Sequence, residues 1–265
     1  MKRTTGNRRP ARHIRRGPRK AYSALVVGLV LVAATSASVA TADDGPGPLG
    51  VTSVATATAQ NARVGALFSA DKASALAGNH FCTASVVHSP RHDLVLTAAH
   101  CLTEGADLVF APGYRDGAAP YGVWKVVRHY VSRNWSGSQD EDSDVAFAVI
   151  APQGGQNVED AVGANQFATG TATGAKAVTV TGYPRDAEAP VACTNMPSAH
   201  SGTQQRIDCP AFTGGTSGSP WVDRDRHVIG VLGGHEQGGS TPDTSYSVVF
   251  GAEAAALYGN ATAEN

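Results

Sequence analysis

Phe81–Cys101 reads F-C-T-A-S-V-V-H-S-P-R-H-D-L-V-L-T-A-A-H-C. Two apolar runs, Phe81–Val87 and Asp93–Thr97, flank a polar stretch rich in turn residues. Apolar runs of this length, bounded by turns and rich in Val and Thr, are strands rather than helices. The same pattern extends outward in both directions. Val64–Phe68 precedes it, and Leu108–Ala111, Gly122–Val131 and Val145–Ile150 follow. After a Gly/Asn/Gln-rich connection at Gln153–Asn157 comes a second set: Lys176–Tyr183, Arg206–Asp208, Trp221–Asp223, Val228–Leu232 and Ser245–Phe250. Only Ala252–Tyr258 has a helical pattern, and Ala73–Leu76 makes at most one turn. Many short strands with one terminal helix predict an all-β chain of two β-modules with a cleft between them.

Charge is distributed unevenly. Nine of the 21 Lys and Arg lie within the first twenty residues, and no Asp or Glu precedes Asp43. An apolar run, Ala21–Ala34, follows, and small residues then lead to Ala40-Thr41-Ala42. Basic, apolar and small-x-small segments in this order predict a signal peptide over 1–42, cleaved after Ala42. The apolar run is shorter than the roughly 20 residues that span a bilayer, which argues against a retained anchor. The arginine pairs Arg8-Arg9 and Arg15-Arg16 do not separate general from twin-arginine export. Removing the leader leaves twelve basic and 22 acidic residues, a formal charge of −10. A nucleic-acid-binding surface needs the opposite sign. Residues 43–63, rich in Gly, Pro, Ala and Thr, read as a linker or pro-segment with little to bury.

The four cysteines, Cys82, Cys101, Cys193 and Cys209, all follow the leader. An even count in an exported chain predicts two disulfides, and no C-x-x-C pair favours zinc. Cys82, which opens the strand before His100, is the expected partner of Cys101.

Three segments carry chemistry. In Gly214-Gly215-Thr216-Ser217-Gly218-Ser219-Pro220 a serine stands between glycines in a tight turn, where its hydroxyl is unobstructed and successive N–H groups can converge on an oxyanion. In Leu96-Thr97-Ala98-Ala99-His100-Cys101 a histidine ends an apolar strand beside a cysteine. An imidazole suits proton transfer at neutral pH. Asp144 enters the apolar Val145–Ile150 run, so its carboxylate faces burial and needs a donor such as a histidine N–H. Asp140, Glu141 and Asp142 read as surface charges, and His88, His92 and His227 as solvated turn residues. The Asp140-x-Asp142-x-Asp144 spacing lacks the glycine and twelfth-position acid of a calcium loop, since Val145 and Ala151 stand there. No metal and no cofactor are expected. In the order His, Asp, Ser, the three segments form the base, orienting acid and nucleophile of acyl transfer.

LTAAHC, SDVAFAVI and GGTSGSP resemble the signature blocks of the chymotrypsin-like serine peptidases, and RVGALF and FCTASVV resemble that family's opening segments. GTSGSP is most similar to the bacterial branch containing the glutamyl endopeptidases. The resemblance covers about 63–258. It implies two packed six-stranded antiparallel β-barrels, an N-terminal one over about 64–155 and a C-terminal one over about 156–265, with the site at their junction. It also implies Ser217 as nucleophile, His100 as general base and acid, Asp144 as orienting group, and the Gly215 and Ser217 N–H groups as oxyanion hole. A second bridge, Cys193–Cys209, would frame the pocket.

The chain departs from the family at informative places. Thr216 replaces the aspartate that pairs with a freed N-terminus in digestive members, although Arg63-Val64 resembles an activation junction. Ala211 stands where trypsin-like members carry a carboxylate, and Leu232 where acid-selecting members carry a histidine. Gly233 replaces a serine that supports the buried aspartate. Ala211, Thr213, Gly233, Gly234 and His235 are the expected substrate-binding residues of an open pocket for uncharged side chains. The expected protein is a secreted, monomeric serine endopeptidase acting on peptides or proteins, touching membrane only during export. Two alternatives stand beside it. A non-catalytic binding relative would be expected to have lost the histidine or serine. An α/β-hydrolase-type esterase needs G-x-S-x-G and the order Ser, Asp, His, and neither is present.

Overall fold

The hairpin of β3 (Cys82–Val87) and β4 (Leu94–Thr97) forms the spine of a closed barrel in the computed structural model, which describes residues 48–102 and 107–263. The leader predicted over 1–42, and residues 43–47, lie outside the described residues. Before the hairpin come β1 (Val51–Val54) and β2 (Val64–Ser69); after it come β5 (Leu108–Pro112), β6 (Trp124–Val131) and β7 (Ala146–Ile150). The barrel closes in the order β2-β3-β4-β7-β6-β5.

Position in the barrel explains the sequence pattern. Every residue of β3, β4 and β7 is buried. Val86, Val95, Ala146 and Ala148 belong to one apolar cluster, while Leu94, Leu96, Phe147 and Val149 belong to a second that includes Val228, Val231 and Phe250. Strands apolar on both faces lose the in–out alternation of a half-exposed strand. Solvent reaches β6 on one side, so Trp124 and Val126 are buried while Lys125 and Val127 are exposed.

The second half contains β8 (Gln166–Phe167), β9 (Val178–Gly182), β10 (Val191–Asn195), β11 (Ser198–Ala199), β12 (Gln204–Asp208), β13 (Pro220–Asp223), β14 (His227–Val231) and β15 (Thr244–Val248). A six-stranded sheet, β1-β10-β9-β13-β14-β8, and a three-stranded one, β11-β12-β15, share a core of Val180, Ile207, Phe212, Trp221 and Ile229. Two short helices, α1 (Arg133–Ser138) and α2 (Val158–Val162), interrupt the strands. The expected terminal helix is α3 (Ala252–Ala263), which packs Ala254, Leu257 and Ala261 against the inter-module cluster. Both disulfides, Cys82–Cys101 and Cys193–Cys209, are present.

Within residues 43–63, read from composition as a linker or pro-segment with little to bury, Val51–Val54 pairs with Val191–Thr194 as an edge strand. Its side chains are mostly exposed, so burial gave no signal. Backbone and polar contacts hold it instead. Gly50 N–H donates to Asp208 O at 2.9 Å, Ala55 N–H to Pro190 O at 2.8 Å, and Thr52 Oγ1 to Pro210 O at 2.6 Å. Gly50 lies against the second disulfide, where a Cβ would stand 2.5 Å from Cys193 Sγ.

Candidate active site

His100 sits on a turn of 3-10 helix, Ala99–Cys101, immediately after β4. The Cys82–Cys101 bridge ties that turn to the start of β3. Asp144 ends another such turn, Glu141–Ser143, just before β7, and its side chain is fully buried. Since β4 and β7 pair directly, the two turns meet at one end of the barrel.

Three N–H groups converge on the carboxylate. His100 Nδ1 lies 2.7 Å from Asp144 Oδ2, Gly234 N–H donates to the same oxygen at 2.8 Å, and His100 N–H donates to Oδ1 at 3.0 Å. An ionised carboxylate only accepts, so His100 carries its proton on Nδ1 and presents a lone pair on Nε2. The side chain of His100 remains 13% exposed, enough for Nε2 to meet a substrate. No side chain stands at Gly233, where a Cβ would lie 2.9 Å from Asp144 Oδ2; the neighbouring Gly234 amide provides a donor.

Ser217 occupies the loop between β12 and β13. Two local turns shape it: Thr216 N–H and Oγ1 both donate to Thr213 O, and Ser219 N–H and Oγ both donate to Thr216 O. Gly215 and Gly218 have φ of +98° and +86°. A Cβ would lie 2.6 Å from Tyr183 O at the first, and 2.0 Å from Thr83 O at the second. Both positions therefore require glycine for conformation and for space.

Thr83, one of two buried hydroxyl residues in β3, locks the loop in place. Its N–H donates to Ser217 O at 2.7 Å, and its Oγ1 donates to Gly215 O and accepts from Tyr183 N–H. The serine loop is thus bonded to the residue beside Cys82, which is itself bridged to the neighbour of His100. Among the described residues the hydrogen bonds of His100 go to Asp144, and none of 3.5 Å or less joins it to Ser217. Such contacts are often long without substrate.

The backbone around Ser217 leaves two donors free. Gly214 O accepts from Arg185 N–H at 2.7 Å, and Thr216 O is taken by Ser219. In a trans peptide the N–H points opposite to the preceding carbonyl. The N–H groups of Gly215 and Ser217 therefore turn away from these partners, and neither donates to a protein group among the described residues.

A cavity of about 280 Å³ opens beside Ser217, lined by Phe212, Thr213, Gly214, Thr216, Leu232 and the 237–242 loop. Among the described residues no charged side chain lines it. Of the predicted pocket residues, Thr213 is in this lining; Ala211, Gly233, Gly234 and His235 are not. His235 instead stacks on His200 and faces Glu141, whose Oε1 accepts from Glu236 N–H. Glu141 and Asp142 are exposed, as read from the sequence, and also take part in local bonding: Gln204 Nε2 donates to the Glu141 backbone O and to Asp142 Oδ1. A hollow of about 610 Å³ lies on the other side of His100, lined by Leu102, Tyr130, Trp135 and Gln139. Gln237 borders both spaces, and nothing in its local sequence marks it.

Comparison with known proteins agrees with the fold. A family profile described as trypsin-like peptidase domain matches residues 82–231. The protease Anisep from Arthrobacter nicotinovorans is similar at 28% identity and TM-score 0.69, over 80% of this chain and 100% of that one. The thermostable serine protease AL20 from an extremophilic microorganism is similar at 29% identity and TM-score 0.68, over 78% and 100%. A Glu endopeptidase shares the fold at 18% identity and TM-score 0.64, over 82% and 99%. No curated sequence matches the chain.

Proposed function

The chain belongs to the trypsin-like peptidases, and from that premise we propose that it is a secreted endopeptidase that cleaves peptide bonds through Ser217, His100 and Asp144. The observation carrying this reading is the buried Asp144 carboxylate, which accepts the His100 Nδ1 proton and leaves Nε2 free to act as a base.

In the proposed sequence Ser217 Oγ attacks the scissile carbonyl while its proton passes to His100 Nε2. The tetrahedral oxyanion forms in front of the Gly215 and Ser217 N–H groups, each such donor being worth about 3–4 kcal/mol. His100 then protonates the leaving amine, and an acyl-enzyme remains on Ser217. Water, deprotonated by the same Nε2, attacks the acyl carbon and regenerates the hydroxyl. The disulfides are consistent with an oxidising compartment.

The uncharged pocket lining favours an uncharged side chain before the scissile bond. Leu232 and Thr213 offer apolar contact and one hydroxyl, with no cation for Glu and no anion for Arg or Lys. Cleavage-site profiling of a mixed peptide library is expected to give apolar or small polar residues at that position. A profile dominated by Glu, Arg or Lys would refute the assignment of the pocket.

Activation needs no cut at Arg63-Val64 in this reading. Thr216 satisfies its own N–H and Oγ1 on Thr213 O, so the serine loop holds its shape without a new amine. Val64 is buried and pairs with Ser85 as the first residue of β2. Residues 50–55 are bonded into the second module. N-terminal sequencing of the active secreted protein is expected to find a start before Gly50. Active enzyme beginning only at Val64 would show that the segment is a removable pro-region.

A further inference from the structure

Two histidines and a glutamate meet at the end of the β3–β4 hairpin remote from His100. His88 precedes the Ser89–His92 turn, His92 ends it, and Glu159 comes from α2. One potential ligand atom from each lies within 4.8 Å of the others, and all three residues are half-buried. We propose that His88, His92 and Glu159 bind a single zinc-class divalent cation that fastens this hairpin to α2, the helix linking the two modules.

The donor set selects the metal. Two imidazoles and one carboxylate form a mixed N/O set suited to zinc. Calcium takes six to eight oxygens and is poorly served. Three protein ligands at a half-exposed position leave the fourth tetrahedral place to water.

The ligands are held before any ion arrives. His88 N–H donates to Asn165 O at 2.8 Å, and Tyr258 Oη donates to His88 O at 2.7 Å. His92 N–H donates to Ser89 O, and Glu159 N–H to His92 O at 3.0 Å. Ser89 N–H occupies Glu159 Oε2, which leaves Oε1 facing His88 Nδ1 at 2.7 Å. Ligand atoms around a tetrahedral zinc stand roughly 3.3 Å apart, given bonds of about 2.0–2.1 Å. The cation therefore replaces the proton between these two groups with a small separation of the side chains.

A carboxylate outside the set fixes the third ligand. His92 Nδ1 lies 2.6 Å from Asp160 Oδ1, so that nitrogen is engaged and Nε2 is the one the proposal assigns to the cation. A metal-bound histidine usually donates its second N–H to a carboxylate in this way. The other two clusters of metal-ligating type among the described residues lack this freedom. Cys82 and Cys101, beside His100, are spent in a disulfide, and Lys176 Nζ sits 2.6 Å and 3.1 Å from Asp223 and Asp225 beside His227.

The site is structural rather than catalytic. The six residues of β3 separate it from the Cys82 end of the hairpin, about 20 Å at the usual strand rise. Its three elements are the hairpin, the linking helix α2 and, through Tyr258, the terminal helix α3. A cation here opposes their separation.

The experiment titrates zinc chloride into the chelator-stripped, full-length secreted protein by calorimetry and follows thermal unfolding with and without the ion. A saturable one-to-one isotherm is expected, with a higher unfolding midpoint when zinc is present. Cobalt in place of zinc should give the visible bands of four-coordinate cobalt. His88→Asn and His92→Asn should each abolish saturable binding while retaining peptidase activity. Asparagine tolerates the left-handed conformation of His92, whose φ is +59°, so the turn survives. Asp160→Ala should weaken binding by roughly 10–100-fold. Absence of saturable binding by the parent protein would overturn the proposal. Binding that persists unchanged in both asparagine variants would overturn it equally, because the ion would then sit elsewhere.

Discussion

Replacing Ser217 with alanine is expected to lower kcat/KM for a peptide substrate by roughly 10⁴–10⁶-fold with the fold intact. The loop geometry supports both halves of that statement. Thr216, Ser219 and Thr83 shape the loop through the backbone and through their own side chains, and no hydrogen bond among the described residues uses Ser217 Oγ. Alanine therefore removes the nucleophile and leaves the turns, the two free N–H groups and the pocket in place. Thermal unfolding should be nearly unchanged, and the small residual rate should reflect binding and the oxyanion donors alone. Steady-state kinetics beside a melting curve checks both. Loss of activity with a collapsed melting transition would instead report misfolding.

Asp144→Asn is expected to cost about 10⁴-fold in kcat. The carboxylate accepts three N–H bonds with two oxygens, whereas an amide has one oxygen and one NH₂. With the amide oxygen in the place of Oδ1, the NH₂ meets Gly234 N–H and forces His100 to hold its lone pair on Nδ1. The proton then sits on Nε2, and the base is lost. With the oxygen in the place of Oδ2, His100 keeps the useful tautomer but its backbone N–H faces another donor inside a buried site. Either arrangement is penalised, the first in catalysis and the second mainly in stability. Measuring kcat together with the unfolding midpoint distinguishes them. A variant with undiminished kcat would remove Asp144 from the proposed machinery.

The parts of this site that could be read from sequence are those where chemistry conflicts with local pattern. Asp144 stands out because it is an acid at the entrance to the Val145–Ile150 run, and His100 because it closes one beside a cysteine. Ser217 stands out because glycines flank it in a tight turn, and the structure places Gly215 and Gly218 in conformations that exclude a side chain. The barrel strands were legible for the same reason, since burial on both faces writes an unbroken apolar run.

Elements held by backbone rather than by burial escaped the reading. Val51–Val54 is an exposed edge strand inside a Thr/Ala-rich stretch, and its partner Val191–Asn195 is only half apolar. Part of the pocket lining was also unmarked in sequence. Glu236 and Gln237 adopt left-handed conformations, His235 faces Glu141, and Gln237 borders the cavity. Thr83 could not be singled out from sequence, since Ser85 is an equally buried hydroxyl in the same strand. Among the described residues Thr83 Oγ1 bonds to the serine loop and Ser85 Oγ has no partner. His88 and His92 carried no signal, since their carboxylate partners come from a helix about 70 residues away.

The account rests on one oxygen being made nucleophilic by one imidazole. Treating the secreted protein with a fluorophosphonate and mapping the adduct by peptide mass spectrometry tests this directly. The label should reside on Ser217 alone and should fall to background in the His100→Ala protein. An adduct on another residue, or labelling of Ser217 that proceeds at the parent rate without His100, would contradict it.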